Sequence, residues 1–362
     1  MYFEWQGSQP VQLRCIDKYV ETPDTMSIKL APLESQLAAF DSIQFDFKPG
    51  QFITVGVEVE QKMEYRAYSL SSIAGESHLQ LTIKRVEGGK VSNYLLDTLQ
   101  VGDTLLALPP SGEFNTIDHP PVRINNNKKA LLLSAGCGIT PVYAMAKQWL
   151  AHGADVDVQF LHVAKSAQQT IYFDALESMA ATEEQFTLSL LLKDASGTMH
   201  PQGRLNKEWL LQLVPDLMQR TVYLCGPSQF MQDTHDNLQA LGFDMNNFFQ
   251  ESFTPVSSTA ESVRGDQAED KAEDKAVSVA VEAFGKEVVA QQGAVLADTL
   301  EAAGLPLIVA CRSGICGSCK CKVTSGSVRS TSLETLSAEE IEQGYVLACS
   351  STIESDLAVQ IS

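Results

Sequence analysis

Five of the chain's eight cysteines crowd its C-terminal part, and three of them, Cys311, Cys316 and Cys319, fall within nine residues. With Cys349 further on, the run Cys311-Arg-Ser-Gly-Ile-Cys316-Gly-Ser-Cys319 has the spacing C-x4-C-x2-C…C of a [2Fe–2S] ligand set. Such a set commits this stretch to a tight loop, because four thiolates must surround two irons. Ser313-Gly314 and Gly317-Ser318 let backbone N–H groups approach the sulfurs, and those contacts help set the potential. Structural zinc is the other metal that favours thiolate cages, but zinc ribbons carry two C-x2-C knuckles and one is present here. Cys321 lies outside the spacing and reads as a packed thiol at the start of a strand.

The remaining cysteines, Cys15, Cys137 and Cys225, lie far apart. Clustering of this kind in a chain with no apparent secretory leader points to metal or redox chemistry rather than disulfides. The start, Met1-Tyr2-Phe3-Glu4-Trp5, lacks a basic and apolar signal, so the expected compartment is the cytoplasm. No apolar stretch reaches the length of a membrane span. A formal charge of −19 disfavours nucleic acid and anionic membrane as partners, since phosphate contacts need clustered Lys and Arg. A protein with a basic face remains a suitable partner.

At 362 residues the chain suits two or three cores. Its clearest boundary is the segment 254–276, TPVSSTAESVRGDQAEDKAEDKA, which has almost no large apolar residue and repeats AEDK. Such a segment buries too little surface to offset its ordering entropy, so it reads as a flexible linker. Residues 8–118 show short alternating runs at Val11–Val20, Met26–Leu30, Phe52–Val59, Leu79–Val86 and Thr104–Leu108, with one helix near Val91–Leu99. That pattern predicts an antiparallel β-barrel. Residues 128–253 alternate buried strands (Ala130–Ser134, Val156–Val163, Phe186–Leu192, Thr221–Cys225) with helical stretches such as Pro141–His152, which predicts an α/β doubly wound parallel sheet. Residues 277–362 read as a small α+β module with a hairpin at Ala276–Ala290, a helix at Val295–Ala303 and final strands at Lys320–Thr324 and Leu357–Ile361.

Five segments outside the cysteine run carry chemistry. Arg66-Ala67-Tyr68-Ser69 ends a barrel strand, and a guanidinium there suits phosphate through paired hydrogen bonds. Gly88-Gly89-Lys90-Val91-Ser92 opens a helix and offers free N–H groups. Ala135-Gly136-Cys137-Gly138-Ile139-Thr140-Pro141 is a glycine-rich strand-to-helix turn lacking the third glycine of G-x-G-x-x-G, with Pro where a missing N–H costs nothing. Cys225-Gly226-Pro227 follows a later strand of the same unit, and Glu251-Ser252-Phe253 ends it.

Taken in order, these motifs resemble the ferredoxin–NADP reductase superfamily, and residues 277–362 resemble plant-type ferredoxin domains of β-grasp fold. The resemblance covers nearly the whole chain. It implies an FAD site (FMN in a minority branch) on the barrel, where Arg66 meets the pyrophosphate and Tyr68 packs along the flavin. Ser69 would lie near the reactive ring nitrogen, with Gly89, Val91 and Ser92 near the pyrophosphate. Gly136, Gly138, Thr140 and Pro141 would form the nicotinamide-binding turn, and Cys225, Gly226 and Pro227 would close the cleft. Ser69, Cys225 and Glu251 are the implied catalytic residues, and Cys311, Cys316, Cys319 and Cys349 the cluster ligands. Cys137 has no matching role and reads as a small buried residue.

A nearer resemblance is to reductases of hybrid-cluster proteins, through Val214-Pro215-Asp216-Leu217, Phe248-Phe249, Phe253-Thr254-Pro255 and Gly344-Tyr-Val-Leu-Ala-Cys349. It implies electrons passing from NADH to FAD to a [2Fe–2S] cluster and on to a hybrid-cluster protein. The same three modules also make reductase components of ring-hydroxylating and other oxygenases. A redox sensor without turnover and a zinc-stabilised interaction module are the readings from other classes. NADH is expected over NADPH, since the strand end at Lys193-Asp194 sets an acid beside one Lys, with Lys165 a second possible phosphate contact.

Overall fold

The computed structural model describes residues 1–7, 9–33, 43–124, 127–253, 276–310, 312, 314, 316–333 and 335–361. Of the expected linker 254–276, all but Ala276 lies outside the described residues, as does Cys311. The fold divides into two compact units, one of Met1–Glu64 and Tyr68–Phe253 and the other holding the C-terminal part together with Tyr65–Ala67.

The first unit opens with strands β1 (Val11–Thr22), β2 (Thr25–Pro32), β3 (Phe52–Val59), β4 (Lys62–Ser69) and β5 (Leu79–Lys84), then helix α1 (Lys90–Asn93) and strand β6 (Thr104–Ala107). They pair in the order β4-β3-β6-β1-β2-β5. The Leu70–Leu81 bridge and the Ser71 N–H to Gln80 carbonyl bond join the two edges, which closes the sheet into a barrel. Along β1 the pleat puts Val11, Leu13 and Cys15 inside and Gln12 and Ile16 outside, the period-2 pattern of a strand with one wet face. β3 and β4 are joined through Glu60 and Gln61, both left-handed (φ 53° and 62°), as a two-residue hairpin requires. Glycine or asparagine normally fills such positions, so the sequence carried no sign of this turn.

The helix expected over Val91–Leu99 is instead a four-residue α-turn running into a π-helical turn, Tyr94–Thr98. The Lys18 ammonium donates to the Leu96 and Leu99 carbonyls (2.9 and 2.7 Å), satisfying groups the widened turn leaves open. β5 likewise stops at Lys84, two residues before the expected end.

The second lobe of this unit contains β7 (Arg123–Ile124), β8 (Asn127–Ala135), α2 (Ile139–Ala151), β9 (Asp157–Ala164), α3 (Phe173–Thr182), β10 (Phe186–Leu192), α4 (Lys207–Leu213), β11 (Thr221–Gly226), α5 (Ser228–Ala240) and β12 (Phe248–Ser252). The five strands of its main sheet are parallel, in the order β10-β9-β8-β11-β12. Both faces are covered, so the strands read as apolar runs rather than alternations. Ile139, Val142, Tyr143 and Trp149 of α2 and Leu176 of α3 pack on one face with Leu132 and Phe160. Leu210 of α4 and Met231 and Leu238 of α5 pack on the other with Leu131 and Leu133.

At the amino edge of this sheet the Arg220 side chain is 6% exposed and ties three strands together. Its guanidinium donates to the Ala130 carbonyl, to the Asp157 carbonyl and carboxylate, and twice to Asp216 (2.7–3.1 Å). Lys129 adds a 2.7 Å contact to Asp216. Burial pushes the Asp216 carboxyl up, but the bonds from Arg220 and Lys129 outweigh it and hold the group below the usual range.

The second unit holds β13 (Ala276–Val281), β14 (Lys286–Gln291), α6 (Leu296–Ala302), β15 (Lys320–Ser325), β16 (Val328–Ser330), α7 (Ala338–Glu342), β17 (Tyr345–Leu347), β18 (Ser351–Ile353) and β19 (Leu357–Ile361). Its sheet, β14-β13-β19-β15-β17, is mixed: β13 and β19 run parallel and their other neighbours antiparallel. Leu296, Ala297 and Leu300 of α6 pack on it with Val277, Val279 and Val359, a β-grasp arrangement. Helix α7 starts in a capping box between Ser337 and Glu340. No described helix is long and apolar enough to cross a membrane.

Candidate functional site

The parallel sheet reverses its order between β8 and β11, and the crevice outside their carboxyl ends is where such sheets hold ligands. Two of the sequence motifs meet there. A methyl group on Gly138 would stand 2.3 Å from the Cys225 carbonyl oxygen and 2.5 Å from the Gly226 nitrogen. Glycine is therefore required by close approach, not by dihedral angle, since Gly138 has ordinary helical angles (φ −62°). Gly136 is the reverse case: it is left-handed (φ 55°) with open space around its Cα.

Helix α2 begins at Ile139, two residues before the expected start, which puts Pro141 third in the helix. Its absent N–H is still one of the first four that have no intrahelical acceptor, so nothing is lost. The Thr140 hydroxyl donates to the Cys137 carbonyl (3.0 Å) and tightens the turn. Helix α5 starts from Pro227 at the same crevice. Two helix N-termini thus present N–H groups and positive dipole ends to one place, which favours a pyrophosphate.

Across the carboxyl ends of four strands, His162, Ser134, Cys225 and Glu251 are in register. Cys225 is fully buried, and burial, with the Glu251 and Cys137 charges adding to it, pushes its thiol well above the ordinary value. It presents a neutral, polarizable sulfur. His162 is also fully buried; burial pulls it down to about 3, so the ring is neutral, and Nδ1 lies 2.8 Å from the Ser134 hydroxyl. The sequence reading missed Ser134 and His162, although a histidine inside an apolar strand is itself a signal.

On the barrel, Arg66 and Tyr68 sit at alternate positions of β4 and share a face, with Ser69 on the opposite one. Arg66 is half-buried and bonds the Tyr65 carbonyl, and Tyr68 packs against the barrel core. Ser69 is buried, and its hydroxyl has no hydrogen-bond partner among the described residues. A buried hydroxyl of that kind marks a place built for a polar ligand atom. Ser92 is buried too, but its hydroxyl is engaged within the turn, accepting from the Val86 N–H (3.4 Å) and donating to the Gly89 carbonyl (3.5 Å). A methyl on Gly89 would stand 2.6 Å from that hydroxyl, so Gly89 is needed for the turn itself. Val91 lies in the barrel core.

In the second unit, Cys316 and Cys349 are half-buried and Cys319 is buried. The Cys349 N–H donates to the Cys319 sulfur at 3.4 Å, and the Cys316 sulfur lies 3.0 Å from the Ser318 hydroxyl. Arg312, Gly314 and Gly317 are left-handed, which coils the loop tightly. Serines pack against it: Ser332 donates to the Gly314 carbonyl, and a methyl on Gly314 would meet Ser332 and Ser350 within 3 Å. Cys321 faces the core, its thiol pushed up to about 12 by burial. The soft thiolates fit iron–sulfur chemistry, the Gly138 approach fits a dinucleotide, and the Ser69 hydroxyl fits a flavin.

Known families match in the same order. Residues 20–116 match the oxidoreductase FAD-binding domain, residues 132–236 the oxidoreductase NAD-binding domain, and residues 279–354 the 2Fe-2S iron-sulfur cluster binding domain. The chain belongs to the ferredoxin–NADP reductase superfamily, in its branch with a C-terminal [2Fe–2S] domain. Within that superfamily it is 33% identical to the glycine betaine monooxygenase reductase subunit of Pseudomonas aeruginosa, covering 96% of this chain and 94% of the relative. It is also 33% identical to the NADH oxidoreductase HCR of Escherichia coli, covering 94% of each. In fold it is similar to phthalate dioxygenase reductase (TM-score 0.61, 21% identity, 98% of this chain and 99% of that one). This superfamily member is an oxidoreductase with FAD, nicotinamide and [2Fe–2S] domains that transfers electrons.

Proposed function

We propose that this reductase takes electrons from NADH at the crevice between β8 and β11 and delivers them through the cysteine-held centre to the terminal component of an oxygenase. The observation that carries the first half is the contact of Gly138 with Cys225 and Gly226, which joins two turns distant in sequence into one dinucleotide cradle. A bound flavin supplies the conversion of paired electrons from a nicotinamide into single ones that a [2Fe–2S] cluster accepts.

The chain's own residues bind, orient and exclude water. Arg66 offers a guanidinium to the flavin pyrophosphate, and Tyr68 lines the ring. The Ser69 hydroxyl supplies a hydrogen bond at the reactive edge, where it has no competing partner among the described residues. The N-termini of α2 and α5 hold the nicotinamide pyrophosphate through Gly136, Gly138, Thr140 and Gly226. Cys225 keeps its proton and gives the nicotinamide a neutral surface, with Glu251 beside it in the ladder. Asp194 follows the end of β10 and accepts from the Ser196 N–H and hydroxyl. Its negative charge suits ribose hydroxyls and opposes a 2′-phosphate, which favours NADH. Cys311, Cys316, Cys319 and Cys349 hold the cluster.

The oxygenase reading is supported by relatives named as reductases of glycine betaine monooxygenase, stachydrine N-demethylase and 3-ketosteroid-9-alpha-monooxygenase. A hybrid-cluster protein is the second reading, supported by the equal identity to HCR and by the segments Val214–Leu217 and Gly344–Cys349. Anaerobic reduction by NADH, followed by mixing with a purified oxygenase component or a hybrid-cluster protein, tests both. The acceptor that reoxidises the chain at a saturable rate is the partner; transfer to neither sinks the proposal.

A further inference from the structure

Cys137, which no motif explains, and Tyr172, which no motif marks, both bond one residue of the barrel. The Tyr172 hydroxyl donates to the Thr82 hydroxyl at 2.5 Å, and the Cys137 thiol donates to the Thr82 carbonyl at 3.7 Å. Tyr172 and Cys137 belong to the α/β lobe, whereas Thr82 is on barrel strand β5. The bonding continues within the barrel: the Thr82 and Ser27 hydroxyls are 2.6 Å apart, and Ser27 donates to Glu21 at 2.5 Å. The Glu21 carboxylate ends this chain of bonds, which runs from Tyr172 of one lobe through Thr82 and Ser27 of the other.

Two features show that Tyr172 is held in place. Its backbone is left-handed (φ 61°), an uncommon state for a residue with a bulky side chain. Its ring stacks on Tyr143 of α2 with centroids 4.1 Å apart. Helix α2 starts in the nicotinamide-binding turn that also contains Cys137. On the barrel side, Leu81, next to Thr82, bridges Leu70, next to Ser69. The bonds to Thr82 therefore join the turn proposed to carry the donor to the strand proposed to carry the acceptor contact.

We propose that Tyr172 is a positioning residue for electron transfer from nicotinamide to flavin, acting through Thr82 to fix the two lobes at the working donor–acceptor distance. The inference rests on the nicotinamide and flavin sites proposed above. Its physical basis is steep dependence on geometry: a misplacement of about 1 Å lowers a positioned transfer about 100-fold.

The experiment uses the full-length holoprotein under anaerobic single-turnover conditions, with Tyr172→Phe, Thr82→Val, Thr82→Ser and the double variant Y172F/T82V. Tyr172→Phe keeps the ring stack on Tyr143 and removes only the hydroxyl. The expected result is a limiting rate of flavin bleaching by NADH at least about 10-fold lower in Y172F and T82V, consistent with a fraction of an ångström of misplacement. The long-wavelength charge-transfer band of the NADH complex should weaken in parallel, while the NADH concentration at half-saturation stays within about twofold, since neither hydroxyl lies in the proposed dinucleotide cradle. T82S, which keeps the hydroxyl, should restore the rate. The double variant should be no slower than either single one, because both remove the same bond. An unchanged limiting rate and band in Y172F overturns the proposal, as does a multiplicative double variant or a rate loss matched by loss of bound flavin. If the wild-type chain itself is not bleached by NADH, the underlying site reading fails instead.

Discussion

Replacing Gly138 by alanine isolates the approach of the two turns from every other property of the site. The helical dihedrals of Gly138 suit alanine, and alanine is the better helix former, so backbone propensity favours the change. The only adverse term is steric. The new methyl would lie 2.3 Å from the Cys225 carbonyl oxygen, 2.4 Å from its carbon and 2.5 Å from the Gly226 nitrogen, all backbone atoms with no rotamer to yield. Relief to van der Waals contact requires the turns to separate by about 1 Å. Overpacking of that kind costs about 1–3 kcal/mol of stability, and a 1 Å displacement of a positioned reactant lowers its rate about 100-fold. Stopped-flow bleaching of the flavin by NADH is the assay, with flavin content as the control. G138A should keep its flavin, because the residues proposed to bind it lie on the barrel, and should bleach about 100-fold more slowly. Gly136→Ala provides the steric contrast: its methyl meets no protein atom among the described residues, so it should cost stability only through its left-handed backbone, about 1–2 kcal/mol, and leave the Gly138 contact in place. Wild-type bleaching by G138A would refute the argument that this contact forms the nicotinamide cradle.

Three further outcomes follow from the same geometry. Ser69→Ala removes a buried hydroxyl that has no partner among the described residues, so the flavin-free protein should gain about 1–3 kcal/mol in chemical denaturation, while the flavin-loaded protein should slow about 10²- to 10³-fold in NADH bleaching; an equal effect on both forms would contradict it. Cys349→Ser or Cys316→Ser should abolish the visible iron–sulfur absorption and the acid-labile sulfide but leave bleaching of the flavin by NADH unchanged, because none of the residues proposed to hold the nicotinamide or the flavin is a cluster cysteine; a retained cluster would show that the thiolate assignment is wrong. Arg220→Met should lower stability at pH 7 by about 3 kcal/mol, since it breaks a buried ion-paired network. The Asp216 carboxyl is lowered by its partners, so its stabilising effect is present above the ordinary value of 3.8 and is lost as the pH falls through its folded value. The gap between wild type and R220M, read from melting temperatures, should therefore narrow on acidification; a gap independent of pH would exclude a charge-based origin.

What the sequence made legible was pattern with a strict period or spacing. Phe186–Leu192 and Leu357–Ile361 are strands with the expected bounds, because runs of β-branched and apolar residues between turn signals have one outcome. The glycine-rich turn and Cys225-Gly226-Pro227 were readable as separate motifs, but their mutual contact depends on strand order, which no local signal encodes. The β3–β4 turn escaped because Glu60 and Gln61 adopt left-handed angles without glycine. The π-helical turn after α1 escaped because Lys18, which satisfies its open carbonyls, lies on another strand. Helix α7 was within reach: Ser337-x-x-Glu340 is a capping box that announces a helix start. Tyr172 had no local sign, since its importance arises only when Thr82 is folded against it.

The Arg220 tie lies at the edge of the parallel sheet opposite the crevice, and this separation has an evolutionary consequence. Fastening one end of the strands there leaves the loops at the other end free to drift in sequence without unravelling the lobe. On the proposed assignment, substitutions around Lys193 and Asp194 could retune the choice of dinucleotide with the rivet at the far end left as it stands.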